Sequence, residues 1–258
     1  MSTHYEFVIA KSAQDKQQAY RLRHEIFVRE LGAFTASTRE VEVDEFDARA
    51  THILAKCGDQ VVGTCRVLPS MPTPSNDGSR FATPGEAHYD YEPFRRDGLP
   101  MVEVSRSSVL PEHRGSAVLG KLWKAAYACA KRLGATHFMS VVHVGHTDSL
   151  RDAQLVYALL ARRGLLHPRY DLRPRGNESG PSAPRWPLFS DAERSAEDAL
   201  RLPPVLRLFH RFGLRACGKP VFMPEIGRVG LAMLAGPDTF SAATIMFFEA
   251  HDASIKVD

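Results

Sequence analysis

The chain is poor in cysteine, close to charge balance and without long apolar runs, and each shortage removes a class of protein. Its four cysteines, Cys57, Cys65, Cys129 and Cys217, are scattered over 258 residues with no CxxC pair. That suits free thiols in a reducing cytoplasm better than a disulfide framework or a zinc site. The formal net charge of +3 is too small to argue for a nucleic-acid partner, and none is expected, although local basic clusters leave room for an acidic protein partner. No apolar run approaches the roughly 20 residues that span a bilayer. Met1 to Lys16 is polar and lacks the profile of a secretory leader. The expectation is a cytoplasmic protein that meets any membrane from its inner face. His143 and His146 have metal-like spacing, but no Cys or carboxylate cluster stands near them in the sequence to complete a site, so no metal is expected.

What is present is an ordinary globular composition, 44% hydrophobic and 24% charged, on a chain long enough to bury a substantial core. Gln14 to Leu31 carries Ala19, Leu22, Ile26 and Phe27 at helical spacing, with Gly32 as a stop. Thr51–Ala55 and Gln60–Leu68 are β-prone and joined by Gly58-Asp59, which predicts a hairpin. Pro69–Pro84 reads as a loop, Met101–Leu110 as a strand, Ala117–Leu133 as a long amphipathic helix and His137–Val144 as an apolar strand. A helix over Arg151–Arg163, a long loop over His167–Asp191 and a helix from about Asp191 to Phe212 follow. A hairpin (Arg215–Phe222 with Val229–Leu234) and a helix near Ala242–Glu249 close the chain. Strands alternating with helices between terminal hairpins predict an α/β fold, a mixed sheet with helices on both faces, in one domain.

Two features bear on chemistry. The strand Met101–Leu110, the turn Arg114-Gly115 and a helix from about Ser116 would offer free backbone N–H groups to a phosphate, with Arg114 adding charge. A solvated turn that merely needs glycine reads the same way. Second, Arg23, Asp44, Asp47, Arg66, Glu103 and Arg106 form a dense charged set. Arg66, Glu103 and Arg106 fall on strands that also carry apolar residues, and burying them unpaired would cost several kcal/mol each. They should therefore pair with one another or serve a substrate; a surface salt-bridge net is the bland alternative.

The order Arg23-His-Glu-Ile-Phe27, Asp44-Glu-Phe-Asp47, Gly63-Thr-Cys-Arg66 and Glu103-Val-Ser-Arg106 resembles the signature of the acyl-homoserine-lactone synthases, which have a GNAT-like fold. Glu30-Leu-Gly-Ala33, Gly145-His-Thr-Asp148 and Leu202-Pro-Pro-Val-Leu206 bring the resemblance closer to one branch, the ornithine-lipid N-acyltransferases. The chain departs from the lactone synthases at Ala33-Phe34, where they carry a tryptophan. It departs from ordinary acetyltransferases at Arg114-Gly-Ser-Ala117, which lacks their second glycine.

The resemblance implies transfer of a (3-hydroxy)fatty acyl group to the α-amine of an amino acid, ornithine above all. The donor would be phosphopantetheine-linked, either acyl carrier protein or acyl-CoA, with no resident cofactor. Glu103 would be the base, with Arg106 and Arg66 orienting it or holding the substrate carboxylate. Arg23, Phe27, Asp44 and Asp47 would line the acceptor site. Val109, Arg114, Gly115, Ser116, Lys121 and Lys124 would receive the phosphopantetheine arm and the acidic carrier. A signal synthase, an acyltransferase for another amino acid and a non-catalytic lipid or carrier binder stay open. The stretch Pro203–Phe212, apolar and basic together, could rest on an anionic membrane, pack on its own sheet or line an acyl tunnel.

Overall fold

The computed structural model describes residues 4–34, 40–70, 81–144, 150–175, 202–224 and 226–257. The chain divides into two compact units, one of Met1–Thr83, Pro100–Thr136 and Ala242–Asp258, the other of Pro84–Leu99 and His137–Ser241.

In the first unit, β2 (Thr51–Cys57) and β3 (Gln60–Ser70) form the expected hairpin. Gly58 turns it at φ 58°, a left-handed conformation that costs glycine little. β4 (Met101–Val109) adds antiparallel to β3, and β1 (Glu6–Ile9) adds antiparallel to β2. The two-residue β9 (Ile255–Lys256) runs parallel to β1 at the edge. The sequence reading missed β1 and β9, because a four-residue and a two-residue strand carry too little periodicity to register.

Successive residues of a strand point to opposite faces, and Cys65 and Arg66 of β3 divide the helices accordingly. The Cys65 thiol reaches the Leu122 carbonyl of α3 (Val118–Arg132) at 3.7 Å. Ile53, Cys65 and Val67 are buried on that side, as are Leu122 and Ala126 of the helix. The other face carries His52, Leu54 and Arg66 and is covered by α1 (Ala13–Arg23) through Ala19 and Tyr20. α1 opens on a capping box: the Ser12 hydroxyl accepts from the Asp15 amide, and the Asp15 carboxylate accepts from the Ser12 amide. Past Arg23 the helix widens into a π-helical stretch, His24–Glu30, that buries Ile26 and Phe27 before Gly32 ends it at φ 64°.

The second unit is organised around β8 (Arg228–Ala235). β5 (His137–His143) runs antiparallel along one side of it. Where one strand over Arg215–Phe222 was expected, two short ones pair with β8, β6 (Arg215–Ala216) and β7 (Val221–Met223). Pro220 offers no N–H to a ladder. Gly218 packs so closely on Tyr89 that a Cβ there would lie 2.9 Å from the ring. The Tyr89 hydroxyl in turn donates to the Lys219 carbonyl at 2.7 Å. α2 (Glu92–Arg96), α4 (Leu150–Arg162) and α5 (Pro204–Arg211) complete this unit. α5 is the described end of the helix expected from Asp191; residues 191–201, the loop over 176–191, most of the Pro69–Pro84 loop and Gly145–Asp148 lie outside the described residues.

The last helix, α6 (Ala242–Glu249), belongs to the first unit and falls where expected. No described helix is long and apolar enough to cross a membrane.

Gly63 tests the packing of α3 on β3. A Cβ there would meet Val118 at 3.0 Å, Leu122 at 3.2 Å and the Ser108 carbonyl at 3.2 Å. Overpacking of this kind costs roughly 1–3 kcal/mol, so Gly63→Ala should lower the urea midpoint of unfolding by that equivalent. An unchanged midpoint would mean that α3 sits less tightly than described.

Candidate active site

Asp44 and Asp47 are placed by local chemistry. Asp44 caps the 3₁₀ turn Glu45–Arg49: its Oδ1 accepts from the Phe46 amide at 3.0 Å, while Asp47 Oδ2 accepts from the Asp44 amide at 2.8 Å. This reciprocal box holds both carboxylates over the α1 face of the sheet. Arg23, the last residue of α1, forks onto Asp47 with Nη1–Oδ1 at 2.7 Å and Nη2–Oδ2 at 3.0 Å. Its Nε donates to Glu42 at 2.5 Å. Arg66 comes up from β3 and donates through Nη1 to Asp44 at 2.5 Å and to Asp47 at 2.9 Å, and through Nε to the Ser105 hydroxyl at 3.1 Å. Arg106 joins from β4, donating to Glu42 at 3.1 Å and Asp44 at 3.0 Å.

Three guanidiniums and three carboxylates thus interlock on one face of the first unit, with Arg23 and Arg66 fully buried. Burying an ion is costly, and only complete pairing makes such a cluster tolerable. Burial alone would raise the Asp47 carboxyl, but Arg23 and Arg66 beside it hold it well below the usual carboxylate range. Arg66 Nη2 is buried and has no hydrogen-bond partner among the described residues.

Arg106 reaches this cluster because β4 bulges. Thr64 pairs with Ser108 and Arg66 with Ser105, so β4 has one residue more than β3 across this interval. Arg106 takes up the irregularity at φ 53°. Phe34, at φ 54°, lays its ring 4.6 Å from the Arg106 guanidinium, and the Phe27 ring lies at 5.7 Å. A left-handed non-glycine residue costs on the order of 1–3 kcal/mol, and such residues cluster at functional sites. Two of them meet here. Glu103 stands two residues before Ser105 on β4, hence on the same face, and is 1% exposed.

His52 lies beneath the cluster. Its Nε2 is 3.4 Å from the Tyr20 hydroxyl and 3.7 Å from Asp47 Oδ1, and burial pushes its pKa down to about 4.

The turn after β4 is built differently from the sequence expectation. Arg114 is not left facing an anion: it forks onto Glu30 with two contacts of 2.6 Å, and its Nε donates to the Val109 carbonyl at 3.0 Å. Gly115 has φ 77°, and the Ser116 hydroxyl donates to the His113 carbonyl at 2.6 Å. α3 begins at Val118, two residues later than Ser116. Lys121 pairs with Asp252 at 3.1 Å, and Lys124 is buried with its ammonium 5.4 Å from the Phe247 ring centroid. Among the described residues no group of His, Cys, Asp or Glu side chains is arranged to hold a metal ion; His146 is outside them.

Of the charged set read from the sequence, Arg23, Asp44, Asp47, Arg66 and Arg106 interlock and Glu103 lies on the same sheet face, while Glu42 was missed. Glu42 is buried and pairs with both Arg23 and Arg106. The available signal was Val41-Glu-Val43, a carboxylate between two apolar neighbours.

The sheet and helices have a GNAT-like fold. Residues 22–124, which span the whole charged cluster, match the Acetyltransferase (GNAT) domain family. In sequence the chain is similar to L-ornithine N(alpha)-acyltransferases. It is 34% identical to that of Rhodobacter capsulatus over 131 residues, 47% of this chain and 49% of that protein. It is 29% identical to that of Rhizobium meliloti over 230 residues, 80% of this chain and 71% of that protein. The chain therefore spans only about half the length of the first of these relatives. In fold it is similar to the CoA-dependent acyl-homoserine lactone synthase BjaI (TM-score 0.56, 18% identity, 99% of this chain and 94% of that one). It is also similar to FeeM, an N-acyl amino acid synthase from uncultured soil microbes (TM-score 0.52, 10% identity, 91% and 92%).

Two outcomes follow. Glu42→Ala strands Arg23 and Arg106 together, and removing one partner of a buried pair costs roughly 3–5 kcal/mol; urea unfolding should register a loss of that size, and a loss below about 1 kcal/mol would show the cluster to be solvated. The second concerns pH. His52 and His167 are both pushed down to about 4 by burial, whereas an unfolded histidine titrates near 6.5. The unfolded chain therefore binds more protons between these values, so stability is complete above about pH 6.5 and falls as pH drops towards 4. His52→Gln should make that fall less steep. An identical pH profile would contradict the placement of His52.

Proposed function

We propose that the chain is an amino-acid N-acyltransferase. It moves a (3-hydroxy)fatty acyl group from a phosphopantetheine thioester, carried by acyl carrier protein, to the α-amine of an amino acid, ornithine in the first instance. The observation that carries this reading is the α1 face of the first unit, where a buried guanidinium with an unused donor, Arg66 Nη2, shares a strand face with the buried carboxylate Glu103. The ornithine N-acyltransferase relatives support the acceptor, and the resemblance of the blocks around Arg23, Asp44, Arg66 and Glu103 supports the roles.

In the reaction the amine nitrogen attacks the thioester carbonyl, the C–S bond breaks, and the amine's proton is passed on while the departing thiolate takes one up. An α-amine is mostly ammonium at neutral pH, so a carboxylate that removes its proton, directly or through water, accelerates attack. Glu103 has that role. Arg66 receives the amino acid's carboxylate, for which a planar guanidinium offers a two-pronged fit that lysine lacks. Asp44 and Asp47 keep Arg66 and Arg23 aimed, and Asp44 is the partly exposed carboxylate that an acceptor's second amine would meet. Phe27 and Phe34 wall Arg106 on the acceptor side. Val109, Gly115 and Ser116 lie on the path of the pantetheine arm, and Arg114, Lys121 and Lys124 belong to the carrier-facing side once their present partners yield. Both compact units act as one acyltransferase domain in the cytoplasm. The product, an amphiphile with a long acyl chain, is released at a membrane face.

Purified protein given 3-hydroxyacyl carrier protein and a panel of amino acids should form an N-acyl product with ornithine and a free thiol in equal amount. Glu103→Gln should lower kcat by on the order of 10²–10⁴ while carrier-protein binding persists. Product only with S-adenosylmethionine would replace this reading with a signal synthase, and tight carrier binding without turnover would replace it with a binding module.

A further inference from the structure

Among the described residues, two that are not glycine hold a left-handed backbone, Phe34 at φ 54° and Arg106 at φ 53°. They are far apart in sequence, yet their side chains meet, with the Arg106 guanidinium carbon 4.6 Å from the Phe34 ring centroid. The Phe34 ring also stands edge-on to Phe27, centroids 6.2 Å apart and planes at 74°. Glycine takes a left-handed turn with little strain, as Gly32 does two residues earlier at φ 64°. A phenylalanine in that backbone is strained, so the contacts of its ring must hold it there.

Arg106 is the guanidinium of the cluster that needs such a contact. Arg23 forks onto Asp47, and Arg66 bridges Asp44 and Asp47 with its Nε on Ser105; both side chains are out of solvent. Arg106 donates singly to Glu42 and to Asp44, and its side chain is 15% exposed. Water competes with carboxylates for a guanidinium placed in this way. An aromatic face over it adds cation–π attraction and keeps water from that side. Asp44 then joins two arginines: its Oδ2 accepts from Arg106 Nη2 and its Oδ1 from Arg66 Nη1. A displaced Arg106 would shift Asp44, and Asp44 would shift Arg66.

We propose that Phe34 is a positioning residue for the acceptor, which acts through Arg106 and Asp44 to fix the direction of Arg66 and does not itself touch the amino acid. Its kinetic consequence rests on the acylation reading; the placement of Arg106 does not.

Two measurements on the full chain keep these apart. Phe34→Leu retains apolar bulk and removes the aromatic face, whereas Phe34→Tyr retains the face. In nitrogen-15 NMR without substrate, the assigned Arg106 Nε–H should exchange with solvent about fivefold faster in Phe34→Leu and within about twofold of wild type in Phe34→Tyr. With ornithine varied at saturating 3-hydroxyacyl carrier protein, Phe34→Leu should raise KM for the amino acid roughly fivefold, the scale of a cation–π contact shielded from water. KM for the donor should stay within about twofold, and Phe34→Tyr should restore the amino-acid KM. A role in packing alone would lower the thermal midpoint of Phe34→Leu and leave both KM values in place. Wild-type exchange at Arg106 in Phe34→Leu would overturn the proposal, and so would an equal loss in Phe34→Tyr or a rise confined to the donor KM. If the wild type acylates no amine, the acylation reading fails, and the exchange measurement still decides whether Phe34 holds Arg106.

Discussion

Three guanidinium groups cannot leave water in one place unless carboxylates follow them, and the first unit is arranged around that requirement. Arg23 ends α1, Arg66 lies on β3 and Arg106 on a bulge of β4; Glu42, Asp44 and Asp47 come from the connection between helix and hairpin. Each carboxylate takes two of the arginines, so no ion pair is separate from the next. The strained turns at Phe34 and Arg106 are held by these contacts, since neither residue would choose a left-handed backbone alone. A cluster of this kind is poor value as stability and good value as a preset geometry. It fixes where Arg66 points, the direction from which the proposed amino-acid carboxylate would be met.

The same cluster explains which parts of the structure could be read in advance. Helices with clear 3.6-residue periodicity, α3 and α4, appear within a residue or two of their expected ends, because a dozen or more apolar and polar positions agree on each. The hairpin β2–β3 was legible from Gly58-Asp59. The split of the expected strand into β6 and β7 was less legible, because the close approach of Gly218 to Tyr89 joins residues far apart in sequence. Within the site, charged residues on apolar strands stood out, whereas Glu42 lay in a connecting segment where a glutamate is unremarkable. Its place became visible only when Arg23 and Arg106 needed a partner.

The turn at Arg114 shows the limit of reasoning from local pattern. A glycine, an arginine and a helix start suggested an anion site, but the arginine's charge goes to Glu30, 84 residues away in sequence. Long-range pairing of that kind is invisible to spacing rules. The same holds at the outer side of α3, where the C-terminal segment already engages Lys121, Lys124 and Lys131 through Asp252, Phe247 and Glu249. A carrier protein approaching that side would find those cations partly spoken for.

As proposed, Arg66 holds the acceptor and takes no part in holding the donor. Steady-state kinetics of Arg66→Lys, with the amino acid varied at saturating acyl carrier protein and then the reverse, separates the two. KM for the amino acid should rise at least tenfold, on the order of the 1.5–3 kcal/mol of a charged hydrogen bond, while KM for the acyl donor should stay within twofold. A rise in donor KM with the amino-acid KM unchanged would contradict it.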